Sequence, residues 1–326
     1  MKAFVYTRYG SPEVLQLANV DTPTPKDDEV LIRVVATTVT SGDCRVRSLR
    51  VPTGFGLIIR LVFGVTRPRQ PILGTELSGV VTAVGKNVSR FQCGDAVFAF
   101  RDAAMGCYAA YACMPQDSAI AIKPTGLSFE QAACLSFGGS SALYFLRKAK
   151  LQPGESVLIH GASGSVGTAG IQLAKQLGAE VTAVCSKRNG DLVKSLGADH
   201  VIDYGQEDFV TNGQTYDVIM DTVGTVSIAR CKQSLKPSGR LLLVAADLPT
   251  MLQAIGISLA GKQKVIIGTA SGKAPDLQFL AKLAEAGVYK PTIDRCYPFD
   301  QMPEAHRYVD TGRKVGNVVV VLDHAE

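Results

Sequence analysis

The chain has 326 residues, of which 46% are hydrophobic and 19% charged, and its formal net charge is +5. This length suits two globular domains, and the dispersed charge, without a basic block interleaved with aromatic residues, argues against a nucleic-acid partner. No apolar run approaches the ~18 residues of a membrane span, so we expect no stable membrane insertion. The start of the chain reaches Arg8 before a signal-peptide core could form. The 8 cysteines include no C-x-x-C pair and favour a reducing, cytoplasmic setting.

The first part of the chain predicts a β-rich domain over residues 1–122. Short strands are predicted at 30–35, 79–84, 96–100 and 107–112, with glycine turns between some of them. An apolar insert with scattered arginines interrupts this pattern at residues 49–69. Its apolar residues are too numerous for a solvated loop: Leu57, Ile58, Ile59, Leu61, Val62 and Phe63. The insert therefore either packs against the body of the domain or covers a ligand cleft.

From about residue 123 strands and helices alternate. Helices are predicted at 128–135, 140–150, 165–177, 189–196, 227–235 and 276–286, and strands at 156–160, 181–185, 200–203, 216–221, 239–245 and 264–268. The strands are continuous apolar runs, as expected for burial on both faces. The alternation predicts a doubly wound parallel sheet over residues 123–290, with a ligand at the carboxyl ends of its strands. After Pro291 strand-like character returns, and residues 291–326 are predicted to rejoin the first domain.

A glycine turn lies between the strand at 156–160 and the helix at 165–177. Gly161, Gly164 and Gly167 follow one another at intervals of three residues. A helix start offers unpaired N–H groups and a partial positive charge, which suit a phosphate, and glycine lets that phosphate approach the backbone. A glycine motif alone is weak evidence, but its position between a strand and a helix strengthens the prediction against a plain surface turn.

The order of motifs along the chain resembles the medium-chain dehydrogenase/reductase superfamily, and in particular its zinc-free quinone oxidoreductase (zeta-crystallin-like) branch. The resemblance is carried by residues 71–81, 94–97, 161–167, 196–204, 221–224 and 316–318. It implies a GroES-like catalytic domain, a Rossmann domain that binds NADPH, and an active site in the cleft between them.

No metal site is predicted. The zinc branch of the superfamily has a cysteine where this chain has Thr40 and a histidine where it has Thr75. A hydroxyl is a poor zinc ligand compared with thiolate or imidazole. The structural zinc lobe of that branch needs four closely spaced cysteines, whereas only three occur from Cys93 to Cys113.

The predicted catalytic residues carry hydroxyl or carboxyl groups. They are Thr40, Ser41, Asp43, Thr75 and Ser141. Residues 39–43 match the family as a loop facing the cleft. The quinone branch commonly has an asparagine at the Thr40 position and a tyrosine two residues beyond Asp43, where this chain has Arg45. The alternative for each candidate is an ordinary turn or cap residue, and no dedicated proton donor is identified.

Cofactor choice is predicted from the end of the strand at 181–185. NAD-specific sites place Asp or Glu there, about 20 residues beyond the glycine turn. This chain has Ser186, Lys187 and Arg188, and its next carboxylate is Asp191. A ribose phosphate would meet a hydroxyl and cations there. The pattern therefore favours NADPH binding over the alternative that Lys187 and Arg188 are only solvated charges. The complete set predicted to contact the cofactor, partly from the family resemblance, is Ala162, Ser163, Gly164, Ser165, Val166, Gly167, Ser186, Lys187, Arg188, Tyr204, Val223, Gly224, Val244, Ala245, Ile267 and Asn317.

The resulting hypothesis is an NADPH-dependent, zinc-independent oxidoreductase that transfers hydride to a small hydrophobic acceptor, either a quinone or an α,β-unsaturated carbonyl. The alternatives are an NADPH-binding protein with a structural or regulatory role and, further removed, an alcohol dehydrogenase. A homodimer is also predicted, because the strand at 264–268 should lie at the edge of the parallel sheet and pair with its copy.

Overall fold

The structure is a computed structural model that describes residues 1–50, 53–260 and 262–323. Its strands are β1 (Lys2–Val5), β2 (Gln16–Asn19), β3 (Glu29–Val39), β4 (Glu76–Val84), β5 (Ala96–Phe100), β6 (Tyr111–Pro115), β7 (Ile120–Ile122), β8 (Ser156–His160), β9 (Glu180–Cys185), β10 (His200–Asp203), β11 (Tyr216–Asp221), β12 (Leu235–Leu243), β13 (Lys264–Ile267), β14 (Ile293–Pro298) and β15 (Asn317–Val321). Its α-helices are α1 (Ser41–Ser48), α2 (Gly56–Phe63), α3 (Phe129–Ala133), α4 (Ser136–Ala149), α5 (Ser165–Gln176), α6 (Gly190–Ser195), α7 (Ile228–Gln233), α8 (Leu248–Ala260), α9 (Ala274–Glu285) and α10 (Met302–Asp310).

A seven-stranded, mainly antiparallel sheet contains strands from both ends of the chain. Its order is β14-β15-β3-β4-β5-β7, with β6 paired to β3. β15 runs antiparallel to β3, and β14 runs parallel to β15. Along the first part of β3, buried and half-buried residues alternate, as expected for a strand with one face in the core.

A six-stranded sheet forms the other half of the molecule, and all its strand pairs are parallel. The strand order is β10-β9-β8-β11-β12-β13, so the chain reverses its direction of travel between β8 and β11. Leu241, Leu242 and Leu243 are all buried because helices cover both faces. The predicted doubly wound fold and the edge position of β13 are confirmed. Ligands of such sheets bind at the carboxyl ends of the strands, beside the reversal.

Several predicted elements are wrong in extent or kind. The strand predicted at 107–112 begins only at Tyr111, because the preceding segment crosses to β1, where Phe4 N donates to Tyr108 O at 2.8 Å. The helices α1, α2, α8 and α10 are not predicted. α10 lies in the tail expected to be strand-like, yet its buried residues follow helical spacing: Met302, Ala305, His306 and Val309. α8 has no charged residue, so its sequence shows no polar face.

The two sheets meet at the glycine turn. Gly316 N donates to Ser163 O at 2.8 Å, and Ser165 Oγ donates to Asn317 Oδ1 at 2.7 Å. The first strand–turn–helix of the parallel sheet is thus held by the residues that lead into β15. The domain boundaries at 122/123 and 290/291 stay a prediction. Among the helices that the structure describes, none has the length and apolar character needed to cross a bilayer.

Candidate active site

The glycine turn leaves the start of α5 accessible. Gly161 has φ +78, and a Cβ there would lie 2.4 Å from Val223; a Cβ on Gly167 would lie 2.3 Å from the carbonyl oxygen of Gly161. A Cβ on Gly164, the N-cap of α5, would have no neighbour nearer than 3.5 Å. The first and third glycines are therefore needed for packing, whereas the second borders open space. The N–H groups of the first helical turn lack intrahelical acceptors and are suited to a phosphate.

A buried carboxylate orders the neighbouring loop at the end of β11. Asp221 is 0% exposed, and its Oδ1 accepts hydrogen bonds from His160 Nδ1 at 3.0 Å, Val223 N at 2.9 Å and Gly224 N at 3.0 Å. Gly224 has φ +81, and a Cβ on it would lie 2.9 Å from Ala245 O. The ends of β8, β11 and β12 are thereby packed into one surface. Sequence reasoning identified this segment as a motif without assigning a role to Asp221.

A cavity of about 250 Å³ opens at these strand ends. The predicted cofactor residues Val223, Gly224 and Ala245 line it, together with Asp221, Asp247 and, from the other half of the molecule, Arg45. Among the described residues, none of the five predicted catalytic residues lines it. Arg45, the departure from the family pattern, therefore faces the predicted nucleotide edge directly.

The loop after β9 presents the two cations predicted to bind a ribose phosphate. Lys187 and Arg188 are exposed and begin a 3-10 turn at Lys187–Asn189. Arg188 Nη2 donates to Arg313 O at 3.1 Å, whereas the Lys187 ammonium has no hydrogen bond or ion pair within the described ranges. Asn189, which sequence reasoning missed, donates from Nδ2 to Ser163 Oγ at 2.9 Å and joins this loop to the glycine turn.

The other predicted cofactor residues surround the same edge unequally. Tyr204 is 64% exposed beyond β10, and Ser186, Val244 and Ile267 are half-buried at strand ends. Asn317 is buried: its Oδ1 accepts from Ser165, and its Nδ2 donates to Thr292 O at 3.0 Å. These contacts tie Asn317 to the protein itself.

Thr40 and Asp43 form a reciprocal cap at the start of α1. Thr40 N and Thr40 Oγ1 donate to Asp43 Oδ2 at 2.8 and 2.6 Å, and Asp43 N donates back to Thr40 Oγ1 at 3.1 Å. Asp43 is 0% exposed, and burial raises its pKa to about 6, although Thr40, Tyr108 and Gly74 lower it in part. Its Oδ1 forms no well-aligned hydrogen bond with any residue that the structure describes. The segment predicted as a loop is thus a capped helix start.

The remaining catalytic candidates are less closely grouped. Thr75 follows Gly74 and is buried, and its Oγ1 has no hydrogen-bond partner in the parts of the chain that the structure describes. Ser41 is exposed at the first position of α1, and Ser141 is buried within α4. No described hydrogen bond joins Ser141 to the other four. Thr40 and Asp43 are therefore joined by hydrogen bonds, Thr75 follows Gly74, whose backbone lowers the pKa of Asp43, and Ser141 lies on a separate element.

Helix α1 is anchored by a buried arginine that sequence reasoning also missed. Arg47 is 1% exposed; it donates from Nη2 to Asp310 at 2.5 Å and from Nη1 to His306 Nδ1 at 2.9 Å. Because a guanidinium only donates, Nδ1 of His306 must accept and the imidazole is neutral. Burial and the Arg47 charge hold the pKa of His306 well below its usual range. This network fixes α1, and with it Thr40 and Arg45.

A buried carboxyl, Glu76, follows Thr75. It accepts hydrogen bonds from Thr38 Oγ1, from Ser136 Oγ at 2.7 Å and from Phe137 N at 2.7 Å. Glu76 is 0% exposed, and burial raises its pKa to about 7 despite these donors. The carboxyl connects β4 to the start of α4.

The apolar insert makes both kinds of contact considered for it. Phe63 packs against the core of the first sheet, while Thr53 O accepts from Leu248 N at 3.1 Å, next to the cavity residue Asp247. Val51 and Pro52 and the side chains of Leu57 and Ile58 lie outside the described residues. The insert therefore packs on the first domain through α2 and reaches the cavity edge through Thr53. Its role as a cover stays a prediction.

The site fits a pyridine dinucleotide better than a metal. Within the described ranges, no group of three His, Cys, Asp or Glu side chains could hold a metal ion. By contrast, the open N-terminus of α5, the cavity and the cations after β9 lie along one edge of the parallel sheet, where the two phosphate groups and the sugars of a dinucleotide would find donors.

Comparison with known proteins identifies the class. Residues 26–153 match the family described as "Alcohol dehydrogenase GroES-like domain", and residues 196–320 match "Zinc-binding dehydrogenase". The chain is 32% identical to 2-methylene-furan-3-one reductase of Solanum lycopersicum, covering 98% of this chain and 79% of that protein. It therefore belongs to the medium-chain dehydrogenase/reductase superfamily of pyridine-nucleotide-dependent oxidoreductases.

The branch follows from solved structures. The quinone oxidoreductase from Coxiella burnetii superposes with a TM-score of 0.88 at 31% identity, covering 99% of each chain. The quinone oxidoreductase of Escherichia coli complexed with NADPH gives a TM-score of 0.83 at 26% identity, covering 98% of this chain and 100% of that one. The protein is a member of the quinone oxidoreductase branch, as the order of its motifs indicated.

Proposed function

We propose that this protein is an NADPH-dependent reductase of quinones or of alkenes conjugated to a carbonyl group, and that it works without zinc. The observation that carries the proposal is the junction at the cavity, where the loops after β11 and β12 meet Arg45 of the other half of the molecule. The glycine turn packs against the first of these loops through Val223. The names of the relatives support both acceptor classes, since one is a 2-methylene-furan-3-one reductase and others are quinone oxidoreductases.

The nucleotide is held by the residues along the sheet edge in this proposal. The amides at the start of α5 take the diphosphate, Lys187 with Ser186 takes the ribose phosphate, and Val223, Gly224 and Ala245 line the space for the nicotinamide half. When bound, NADPH supplies a hydride. The E. coli structure was solved with NADPH, which supports this nucleotide for the branch.

The buried hydroxyl of Thr75 is the proposed donor to the acceptor oxygen, on which negative charge develops. A buried hydroxyl without a partner is costly, so a ligand atom that accepts from Thr75 Oγ1 would be stabilised. Thr40 cannot supply the same proton freely, because its hydroxyl already donates to Asp43. Asp43, with its pKa raised to about 6, holds Thr40 and the start of α1 in place.

We also propose that the protein is cytoplasmic and forms a homodimer. All 8 cysteines are free in the structure, in keeping with a reducing, cytoplasmic location. A homodimer would form by pairing of β13 with its copy, which extends the six-stranded sheet.

The test is oxidation of NADPH by a panel of quinones, enals and enones. Turnover with at least one class, at a rate well above NADPH alone, is expected. Thr75→Val should lower kcat about 100-fold with little change in NADPH affinity, whereas Thr82→Val, on the exposed side of β4, should change neither. Tight NADPH binding without turnover of any acceptor would instead assign the protein a binding role.

A further inference from the structure

One stretch of this chain carries positive charge without any compensating acid. Between Asp43 and Glu76 there is no Asp or Glu, while the arginines are Arg45, Arg47, Arg50, Arg60, Arg67 and Arg69. Arg47 is buried against Asp310. The other five are exposed, and none forms an ion pair with any residue that the structure describes.

Aliphatic side chains are exposed among these arginines. Leu61, Val62 and Val65 are 54%, 52% and 50% exposed. Single exposed apolar residues are ordinary on protein surfaces, but three within five positions form a patch that calls for an explanation. Packing explains the inner side of α2, where Phe63 contacts the core of the first sheet; it does not explain these three.

The patch has a defined shape. Gly64, at φ +122, turns the chain so tightly that a Cβ on it would lie 2.0 Å from Arg67 O. Arg60 Nη1 donates to Val65 O at 2.8 Å, and Arg69 N donates to Phe63 O at 2.7 Å. These bonds fold residues 65–69 back towards the end of α2. The arginine–aliphatic surface, defined as Arg60, Leu61, Val62, Val65, Arg67 and Arg69, is therefore compact.

We propose that the arginine–aliphatic surface docks on anionic lipid bilayers, with the aliphatic side chains in the interfacial layer and the guanidinium groups on lipid phosphates and carboxylates. Exposed apolar residues flanked by cations that form no ion pair within the described residues are the features of a segment that lies in a membrane interface. The planar guanidinium suits bidentate contacts with phosphate. Anionic headgroups supply the charge complement that this surface lacks within the chain, and acyl chains supply the complement for Leu61, Val62 and Val65.

The segment that carries this surface reaches the cavity at its other end. Thr53, just before α2, accepts a hydrogen bond from Leu248 next to the cavity residue Asp247, and Arg45 lines the cavity itself. The proposal concerns binding alone and does not depend on which acceptor is reduced.

The test is flotation of the purified full-length protein with phosphatidylcholine vesicles, either pure or containing about one third phosphatidylserine. The protein should float with the anionic vesicles and not with the neutral ones, and less so as salt is raised well above about 0.1 M. Each arginine near an anionic surface contributes about fivefold to partitioning, so Arg67→Gln with Arg69→Gln should weaken it about 25-fold. Leu61→Ser should weaken it by up to about tenfold.

Matched controls separate this surface from general charge and hydrophobicity. Lys194→Gln with Lys232→Gln removes two exposed cations from α6 and α7, and Ile122→Ser changes an apolar side chain that is 51% exposed. Both control proteins should float like the wild type. All four substituted positions of the test and control charge variants are exposed, and circular dichroism will confirm that each variant is folded.

Several results would overturn the proposal. They are absence of flotation with anionic vesicles, equal flotation with neutral vesicles, and equal losses in test and control variants. Retention on immobilised polyglutamate without vesicle binding would assign the surface to an acidic protein instead. A change in oligomeric state caused by Leu61→Ser, again without vesicle binding, would assign it to a contact between copies of this chain.

Discussion

The buried carboxyl of Glu76 should make the stability of the folded protein depend on pH. The carboxyl is fully buried at the start of β4, and its hydrogen-bond donors are Thr38, Ser136 and Phe137. Desolvation by burial outweighs these donors, and the pKa rises from 4.5 to about 7. Burial raises the pKa because it penalises the charged form.

The sign and size of the effect follow from linkage. The folded protein holds the Glu76 proton more tightly than the unfolded chain does. The contribution of Glu76 to the free energy of unfolding is therefore complete below about pH 4.5 and is lost as the pH rises through 7. A rise of this size corresponds to about 3 kcal/mol of unfolding free energy. The wild-type protein should lose up to that amount between pH 4.5 and pH 8 through this group.

Glu76→Gln removes the titration while keeping a side-chain oxygen that can accept from Phe137 N. Ser136 Oγ can turn to Ala99 O, 3.4 Å away, which leaves room for the new amide. Unfolding by urea, followed by circular dichroism at several pH values, should show a free-energy difference between variant and wild type that changes by about 3 kcal/mol across the window.

Glu285→Gln makes the same chemical change on the exposed side of α9 and is the matched control. It should not reproduce the change of about 3 kcal/mol expected for Glu76→Gln. The pKa of Asp43 is also raised, but Asp43 is present in all three proteins and its contribution largely cancels. If Glu76→Gln keeps the pH dependence of the wild type, the buried carboxyl does not titrate in this window and the reasoning is wrong.

Four further predictions concern the site and its surroundings. Lys187→Ala should weaken the binding of NADPH about ten- to a hundred-fold, because it removes a charge-assisted hydrogen bond, and should leave the binding of NADH unchanged. The control Lys194→Ala should affect neither nucleotide, and equal weakening of both by Lys187→Ala would contradict the phosphate contact. Elemental analysis should find far less than one zinc per chain, since Thr40 and Thr75 are poor ligands, and activity should survive a chelator; stoichiometric zinc would refute this. Sedimentation at micromolar concentration should show a dimer through β13, and a monomer would disprove it. Phe63→Ser should destabilise the protein by about 1–2 kcal/mol, because the half-buried ring packs on the core of the first sheet. If the insert covers the cleft, Phe63→Ser should also raise the Michaelis constant for long-chain acceptors far more than for short-chain ones; equal changes for both would leave only the packing role.

The sequence by itself determined the parts of this protein that depend on local patterns. The strand at 156–160, the glycine turn and the helix that follows could be placed because apolar spacing and glycine conformation act over a few residues. The same holds for the start of the helix predicted at 128–135. There the structure has Ser128 as the N-cap of α3, in a capping box with Gln131. The succession of such units, read as alternating strands and helices, was enough to identify a parallel sheet and the edge at which it binds its ligand.

Helices without a charged face could not be predicted from local sequence patterns. α8 has no charged residue, and Arg60 is the only charged residue of α2, so neither presents the charged face by which an amphipathic helix is recognised. Each makes contacts outside its own segment: Phe63 of α2 packs on the core of the first sheet, and Leu248, which begins α8, donates to Thr53 O.

Only the tertiary structure decided which residues share the site. Arg45 and Asp247 are separated by about two hundred positions in the chain and line the same cavity. Glu76 meets the start of α4, and Asn189 binds the glycine turn, through hydrogen bonds between distant segments. Thr40 was identified from sequence as a candidate, but its bond to Asp43 places it in a helix cap. Side-chain burial and hydrogen bonding arise between segments that come into contact only in the folded chain, and the spacing of residues along the sequence does not show which segments those are.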